Sequence, residues 1–250
     1  MARRPLARSS AEKRPCGAVS ADVAPLSVIG TLNEGSLHAA LKAWVAEDGD
    51  LFEVPILGFV ADIVRGSTLI EIQTGTMSGL RRKLETFLRR HEVRLILPVA
   101  ARKTIVHVDE AGRELSRRSS PRRAGAVDAF RQLVSLGSLL GDSNLSIDIL
   151  LLHEEEVRRP SRTRRRERFS VDDRRLGEVL EWVSLRHPAD YLGVIPASLA
   201  GDFTTAELAE SMRQPRWMAQ KVAYALRTMG VLRVVGKRGN AFLYRRDAAT

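Results

Sequence analysis

Apolar residues recur along the chain in two alternating rhythms. In "NEGSLHAALKAWV", Leu37, Leu41 and Trp44 return every three or four residues, the period of one helical face, and Asn33 stands where an N-cap belongs. "FEVPIL", "GFVADIV" and "TLIEIQ" follow as three short strand-like runs, with Pro55 suited to an edge. "SGLRRKLETFLRR" returns to the helical period, with Leu80, Leu84 and Phe87 inward and the basic residues outward. "VRLILPV" and "KTIVHVD" read as two further strands, "RELSRRSSPRRAG" as a basic loop, "AVDAFRQLVSLGSLL" as a helix and "LSIDILLLH" as a strand. This order predicts one α/β domain over residues 29–158, preceded by a disordered basic arm over 1–28.

Beyond it, "RRPSRTRRRERF" predicts an Arg-rich linker over 159–170, "VDDRRLGEVLEWVSL" an amphipathic helix and "PADYLGVIPASLAG" a shorter one. In "FTTAELAESM", Thr204 and Glu207 form a capping box. "RQP" is a turn that puts Pro215 at the first position of the next helix, and Gly230 ends that helix. "VLRVV" and "AFLYRR" then make a hairpin around "GKRGN". Residues 171–250 thus form a second unit that resembles a winged helix-turn-helix domain, with the hairpin as its wing.

The 250 residues suffice for two modest domains, and 44% hydrophobic with 28% charged residues is an ordinary globular composition. The longest apolar runs fall far short of a membrane span. The N-terminal stretch lacks the apolar core of a secretory signal, and the single Cys16 allows no internal disulfide. Both suit a reducing cytoplasm, with the chain expected at the nucleoid. The net charge is +10, and its distribution is uneven. Residues 31–110 carry −1, whereas 111–169 carry +5, and 203–246 carry +7. Such a field favours a polyanion, so DNA is the expected partner; a homodimer is compatible with the sequence.

In the last helix Met218, Val222, Ala225 and Met229 form a buried stripe, which leaves Arg216, Gln220, Ala223 and Arg227 facing the other way. Arg and Gln read base edges through paired hydrogen bonds, and a small Ala223 permits close approach. Lys237 and Arg238 are expected at the wing tip. The alternative is a winged helix used for protein contact, with a solvated polar face.

In the hairpin "GFVADIVRGSTLIEIQTG", pairing Val64 with Leu69 sets Asp62 directly opposite Glu71. Like charges so placed repel, and a divalent cation between them, held by oxygen alone as Mg²⁺ prefers, would offset the repulsion. Glu34, one turn before His38, supplies a third carboxylate. The alternative is a half-exposed hairpin whose wet face carries both charges.

Residues 30–110 resemble the PD-(D/E)xK nuclease superfamily, the restriction-endonuclease-like fold: a helix with a Glu, three strands, a helix and a further strand. The resemblance implies that Asp62 and Glu71 are the metal-holding pair, that Gln73 stands at the position of the usual Lys, and that Glu34 is the helix glutamate of the Holliday-junction-resolvase-like branch. Ala61 replaces the Pro that precedes the Asp. The implied activity is phosphodiester hydrolysis with Mg²⁺ or Mn²⁺, in DNA repair, recombination or defence. Gln73 orients the water without taking its proton, and Arg81, Arg82 and Lys83 contact the phosphate backbone. The rival function is a DNA-binding regulator, or an adaptor, whose nuclease-like domain is catalytically silent.

His38, His107 and His153 are scattered and read as structural, and "EEE" at 154–156 reads as a solvated run. "GTMSG" lacks phosphate-loop spacing, although its backbone amides are placed to meet a DNA phosphate.

Overall fold

The computed structural model describes residues 35–161, 169–199 and 201–247. Asn33, Glu34, the arm over 1–28 and most of the expected linker lie outside the described residues.

The fold is mixed α/β, and the order of its first elements follows the sequence reading. Helix α1 (Ser36–Val45) precedes strands β1 (Leu51–Ile56), β2 (Phe59–Arg65) and β3 (Thr68–Ile72). Helix α2 (Leu80–Phe87) and strand β4 (Glu92–Val108) come next. Strand β5 (Glu114–Ser119), helix α3 (Phe130–Leu133) between two 3-10 turns (Ala126–Ala129 and Val134–Gly141), and strand β6 (Leu145–Pro160) follow. Strand β7 (Phe169–Leu185) completes a seven-stranded sheet of order β1-β2-β3-β4-β6-β7, with β5 paired to the far end of β4. The ladders β1–β2, β2–β3, β4–β5 and β6–β7 are antiparallel, while β3–β4 and β4–β6 are parallel. Helices α4 (Pro188–Leu192), α5 (Thr205–Met212) and α6 (Arg216–Thr228) and the hairpin of β8 (Leu232–Arg238) and β9 (Ala241–Arg246) follow.

The sheet is covered on both faces. On one, α1 buries Leu37, Leu41 and Val45 against Ile63, Ile70, Ile72 and Ile96. On the other, Leu80, Leu84 and Phe87 of α2 join one continuous core with Phe130, Leu133 and Leu136, and with Leu208, Val222 and Leu226 of the C-terminal helices. Each fully buried side chain of this size stabilises the fold by roughly 1.5–3 kcal/mol. Apolar periodicity therefore locates α1 and α2 correctly, with Trp44 as an exception. It lies 43% exposed beside α1's buried stripe, edge-on to Trp182 of β7 at 5.7 Å.

The largest departure is β7. Residues 171–185, expected as a helix of the C-terminal unit, are a strand hydrogen-bonded along β6. The physical cause is legible afterwards. Leu176, Val179, Leu180 and Val183 have helical spacing, but three irregularities break the β6–β7 ladder and leave Asp172, Gly177 and Leu180 without register partners. Each bulge flips the side chains that follow it to the other face, which erases the two-residue period. Leu176 and Val179 accordingly pack towards α1, and Val183 towards the opposite core. Residues 159–160 and 169–170 belong to β6 and β7 instead of a linker.

The remaining corrections are smaller and have separate causes. The two strands expected over "VRLILPV" and "KTIVHVD" are the single strand β4, whose polar middle is absorbed by an irregularity between Ala100 and Arg102. The basic "loop" contains β5, whose six residues are all exposed and so carry no burial pattern to read. The helix expected over 126–140 is interrupted at Gly137, which takes φ 58° and ψ −127°.

Candidate functional site

The turn between β2 and β3 is two residues long, Gly66 and Ser67, and Gly66 supplies its positive φ of 57°. Val64 pairs with Leu69 as expected, and the ladder continues to Ile63 and Ile70. There the strands part: β2 stays with β1 (Ala61 opposite Val54), while β3 stays with β4 (Glu71 opposite Leu95). Asp62 and Glu71 stand at the opening. Their carboxylates take the backbone donors that the parting strands leave: Ile72 N–H donates to Asp62 Oδ2 (2.8 Å), and Asp62 N–H donates to Glu71 Oε1 (3.4 Å). A buried N–H needs an acceptor, so the pair has a structural task as well as any chemical one.

The opening is a cavity of about 260 Å³, lined among others by His38, Asp62, Glu71, Gln73 and Lys83. His38 Nε2 lies 3.5 Å from Asp62 Oδ2. Lys83 Nζ is ion-paired with Glu71 Oε2. Glu71 is only 2% exposed. Burial and then the neighbouring Asp62 charge push its carboxyl up to about 7, against the opposing pull of Lys83. Gln73 borders the cavity, but its Nε2 donates to Thr76 O at 2.5 Å and so is held by the following loop. Gly75 and Gly79 of the "GTMSG" loop also border it.

Two of these residues carry more than the sequence reading gave them. Unlike Arg81 and Arg82, Lys83 lies three residues after Leu80 and four before Phe87, within the apolar stripe of α2. That spacing was the available signal, because a Lys in a buried stripe needs a carboxylate. Arg81 instead pairs with Glu85 at 2.9 Å, and Arg82 is exposed. His38, read as structural, sits one residue beyond Leu37 and so on the flank of α1 that meets Asp62. Among the described residues no three His, Cys, Asp or Glu side chains are placed to hold one metal ion; Glu34 lies outside them.

The run 154–156 is not a solvated one. Strand β6 continues through it, burying Glu154 and Glu156, and Lys103 of β4 pairs with both. Arg158 adds a second cation on Glu156 and, with Lys103, holds that carboxyl below its usual range against the cost of burial.

In the C-terminal unit Thr204 and Glu207 form the expected capping box, and Gly230 follows α6 with φ 74°. Met218, Val222 and Ala225 are buried, and Arg216, Gln220 and Arg227 are exposed. Ala223 differs: it is fully buried, in the core that also holds Leu208 and Ala209 of α5, and so offers no close approach to a partner. Lys237 and Arg238 are the last residues of β8, not the tip, because Arg238 pairs with Ala241 and leaves only Gly239 and Asn240 in the turn. Lys237 lies over the Phe242 ring, and Arg238 is bonded to Glu207 at 2.6 Å.

These features define a mixed α/β protein with a carboxylate–lysine cavity in its sheet and a basic helical unit packed on one face. The chain belongs to the family described as "Domain of unknown function (DUF8091)", whose model matches residues 35–186. The match runs from the start of α1 to one residue past β7, so it includes the strand that the sequence reading assigned to the C-terminal unit. A Treponema pallidum (strain Nichols) chain named "Uncharacterized protein" is 30% identical over 226 residues, covering 88% of each chain. No solved structure matches the chain. No helix of the described residues is long and apolar enough to cross a membrane.

Proposed function

We propose that the protein binds DNA and cleaves phosphodiester bonds with Mg²⁺ or Mn²⁺ at the Asp62–Glu71 opening. The observation that carries this reading is the buried, poorly compensated charge of Glu71: two carboxylates share one cavity with a single ammonium, and Glu71 is driven towards neutrality. A dication reverses that cost. The donor set fits Mg²⁺, which takes one or two protein carboxylates and completes its shell with waters and substrate phosphate. The order of elements from α1 to β4, with β3 and β4 parallel, supports the resemblance to the restriction-endonuclease-like fold. The capping box, the α5–α6 turn and the β8–β9 hairpin support the winged-helix reading in the same way.

A bound Mg²⁺ would supply positive charge to the phosphate and make its water more acidic. Asp62 and Glu71 would hold the ion, and Glu71 would give up the proton that it otherwise keeps near neutral pH. Lys83 offers the ammonium that Gln73 lacks, from α2 instead of β3, where it stabilises charge on a phosphate or orients the attacking water. His38, next to Asp62, is positioned to take or pass a proton at Nε2.

One observation favours the second reading, a DNA-binding regulator with a silent cavity: Asp62 and Glu71 also serve as backbone acceptors, and Lys83 already neutralises part of the charge. Incubation with plasmid, single-stranded and branched DNA, with and without Mg²⁺ or Mn²⁺, separates the two. Metal-dependent cleavage that Asp62→Asn abolishes is the expected result. Absence of metal binding by calorimetry, with DNA present, overturns the nuclease reading and leaves the regulator.

A further inference from the structure

The arc of α6 that remains open is both narrower and more aromatic than a duplex reader needs. At 100° per residue, Met218, Ala219, Val222, Ala223, Ala225 and Leu226 cover nearly half the helix circumference, and all are fully buried. The open arc holds Arg216, Trp217, Gln220, Tyr224 and Arg227. Trp217 and Tyr224 are each 43% exposed. One flank of this arc is occupied by the α/β sheet's own helical layer. The Arg131 guanidinium of α3 lies over the Trp217 ring at 4.7 Å, and Lys221 Nζ donates to Arg131 O at 3.3 Å. Further along, Gly141 approaches Thr228 so closely that a Cβ there would meet its carbonyl at 3.1 Å. A helix with side chains is about 10–12 Å across and the major groove about 12 Å wide, so insertion requires both flanks clear.

We propose that this face is a stacking platform for single-stranded DNA, with Trp217 and Tyr224 each taking the face of an unpaired base. The proposal rests on the DNA-binding part of the reading above and specifies its substrate class; it does not depend on cleavage. Duplex DNA hides its base faces, whereas a single strand offers them, and aromatic side chains among cations are the usual means of holding it. Trp217 and Tyr224 are seven residues apart, so their rings lie on the same side of α6 about 10 Å apart along its axis. Gln220 stands between them with an amide for a base edge, and Arg216 and Arg227 stand at the two ends for phosphates. Arg131 extends the cationic margin from α3, where Asp128 at 3.2 Å helps hold it. No acidic residue lies on the open arc, and residues 203–246 carry +7, which matches a polyanion rather than an apolar protein surface.

The test is equilibrium binding of the full chain, without metal, to oligothymidylate, to a duplex of equal length, to an abasic single strand of equal charge and to oligouridylate. The expected order is oligothymidylate tighter than duplex and tighter than the abasic strand. Trp217→Ala and Tyr224→Ala should each weaken oligothymidylate binding roughly 5- to 100-fold, the range for loss of one stacked base. Trp217→Phe should restore most of it, and circular dichroism should show both alanine variants folded. Equal affinity for the abasic strand, tighter duplex binding, or unaltered binding by both alanine variants overturns the platform and leaves DNA binding intact. Tighter oligouridylate binding overturns the assignment to DNA. Failure to bind any of the four overturns the DNA-binding reading itself.

Discussion

Asp62 and Glu71 each reach across the gap where β2 leaves β3: Asp62 Oδ2 accepts from Ile72 N–H at 2.8 Å, and Glu71 Oε1 accepts from Asp62 N–H at 3.4 Å. The two like charges are thus held together by the backbone donors of the opening strands. Asp62→Asn keeps an oxygen for Ile72 N–H and removes one charge. The metal-free variant should therefore be as stable as the wild type or more so, with the Glu71 titration moved down towards the ordinary carboxylate range. Carbon-detected NMR titration of Glu71 measures this, and a scan with Mg²⁺ should show the wild type alone gaining melting temperature. A Glu71 titration that does not move would show that Asp62 contributes nothing to its shift.

The pH dependence of stability should carry the signature of Glu71. Its carboxyl titrates at about 7 in the fold and near 4.5 when unfolded, so between those values the native state binds more protons than the unfolded state. Stability should consequently fall as pH rises from about 4.5 to 7, by up to ~3 kcal/mol from this group, and then level off. Subtracting the Glu71→Gln profile from that of the wild type, by urea unfolding across this range, isolates the effect. Equal profiles would remove the case for a strained carboxylate.

Lys83→Met tests the ammonium that α2 sets beside Glu71. The variant leaves Glu71 buried without its cation, so at pH 8 it should lose about 1–3 kcal/mol, and less at pH 5, where Glu71 is already protonated. In combination with Glu71→Gln the loss should largely vanish. If cleavage occurs, Lys83→Met should reduce it while Mg²⁺ binding persists.

Gly177 distinguishes the strand from the helix that its sequence suggests. In an exposed helix, Gly177→Ala would stabilise by about 1 kcal/mol. In β7 an added Cβ would meet His153 Nδ1 at 3.0 Å and His153 O at 3.1 Å, and a backbone carbonyl yields little. The substitution should therefore destabilise by about 1–3 kcal/mol, as overpacking does. Thermal or urea unfolding reads the sign directly.

Arg216 and Arg227 are exposed and make no ion pair within the described residues. Replacing either with Ala should leave the fold intact, weaken DNA binding, and lower the salt slope by about 0.7 for a single strand. An unchanged slope in both variants would take these residues out of the interface.

Where one element buries one unbroken face, local pattern was enough. Leu80, Leu84 and Phe87 of α2, the Thr204–Glu207 cap and the Val64–Leu69 register were all legible, because each depends on residues within a few positions of one another, whereas the ladder ends at Ile63–Ile70, short of the Asp62–Glu71 pairing that the register implied. Charge placement was legible too, since it needs only counting. Long-range packing governed the rest. Strand β7 is a strand because β6 offers it a partner edge, and its bulges turn an alternating pattern into a helical one. Lys83 borders the cavity because α2 docks its stripe beside Glu71, and Glu154 and Glu156 are buried because Lys103 on the neighbouring strand compensates them. Ala223 faces a core because α5 packs there, and Trp217 acquires Arg131 from a segment some 86 positions earlier. A side chain's neighbours across strands and layers set its burial and charge state, and no spacing along the chain encodes them.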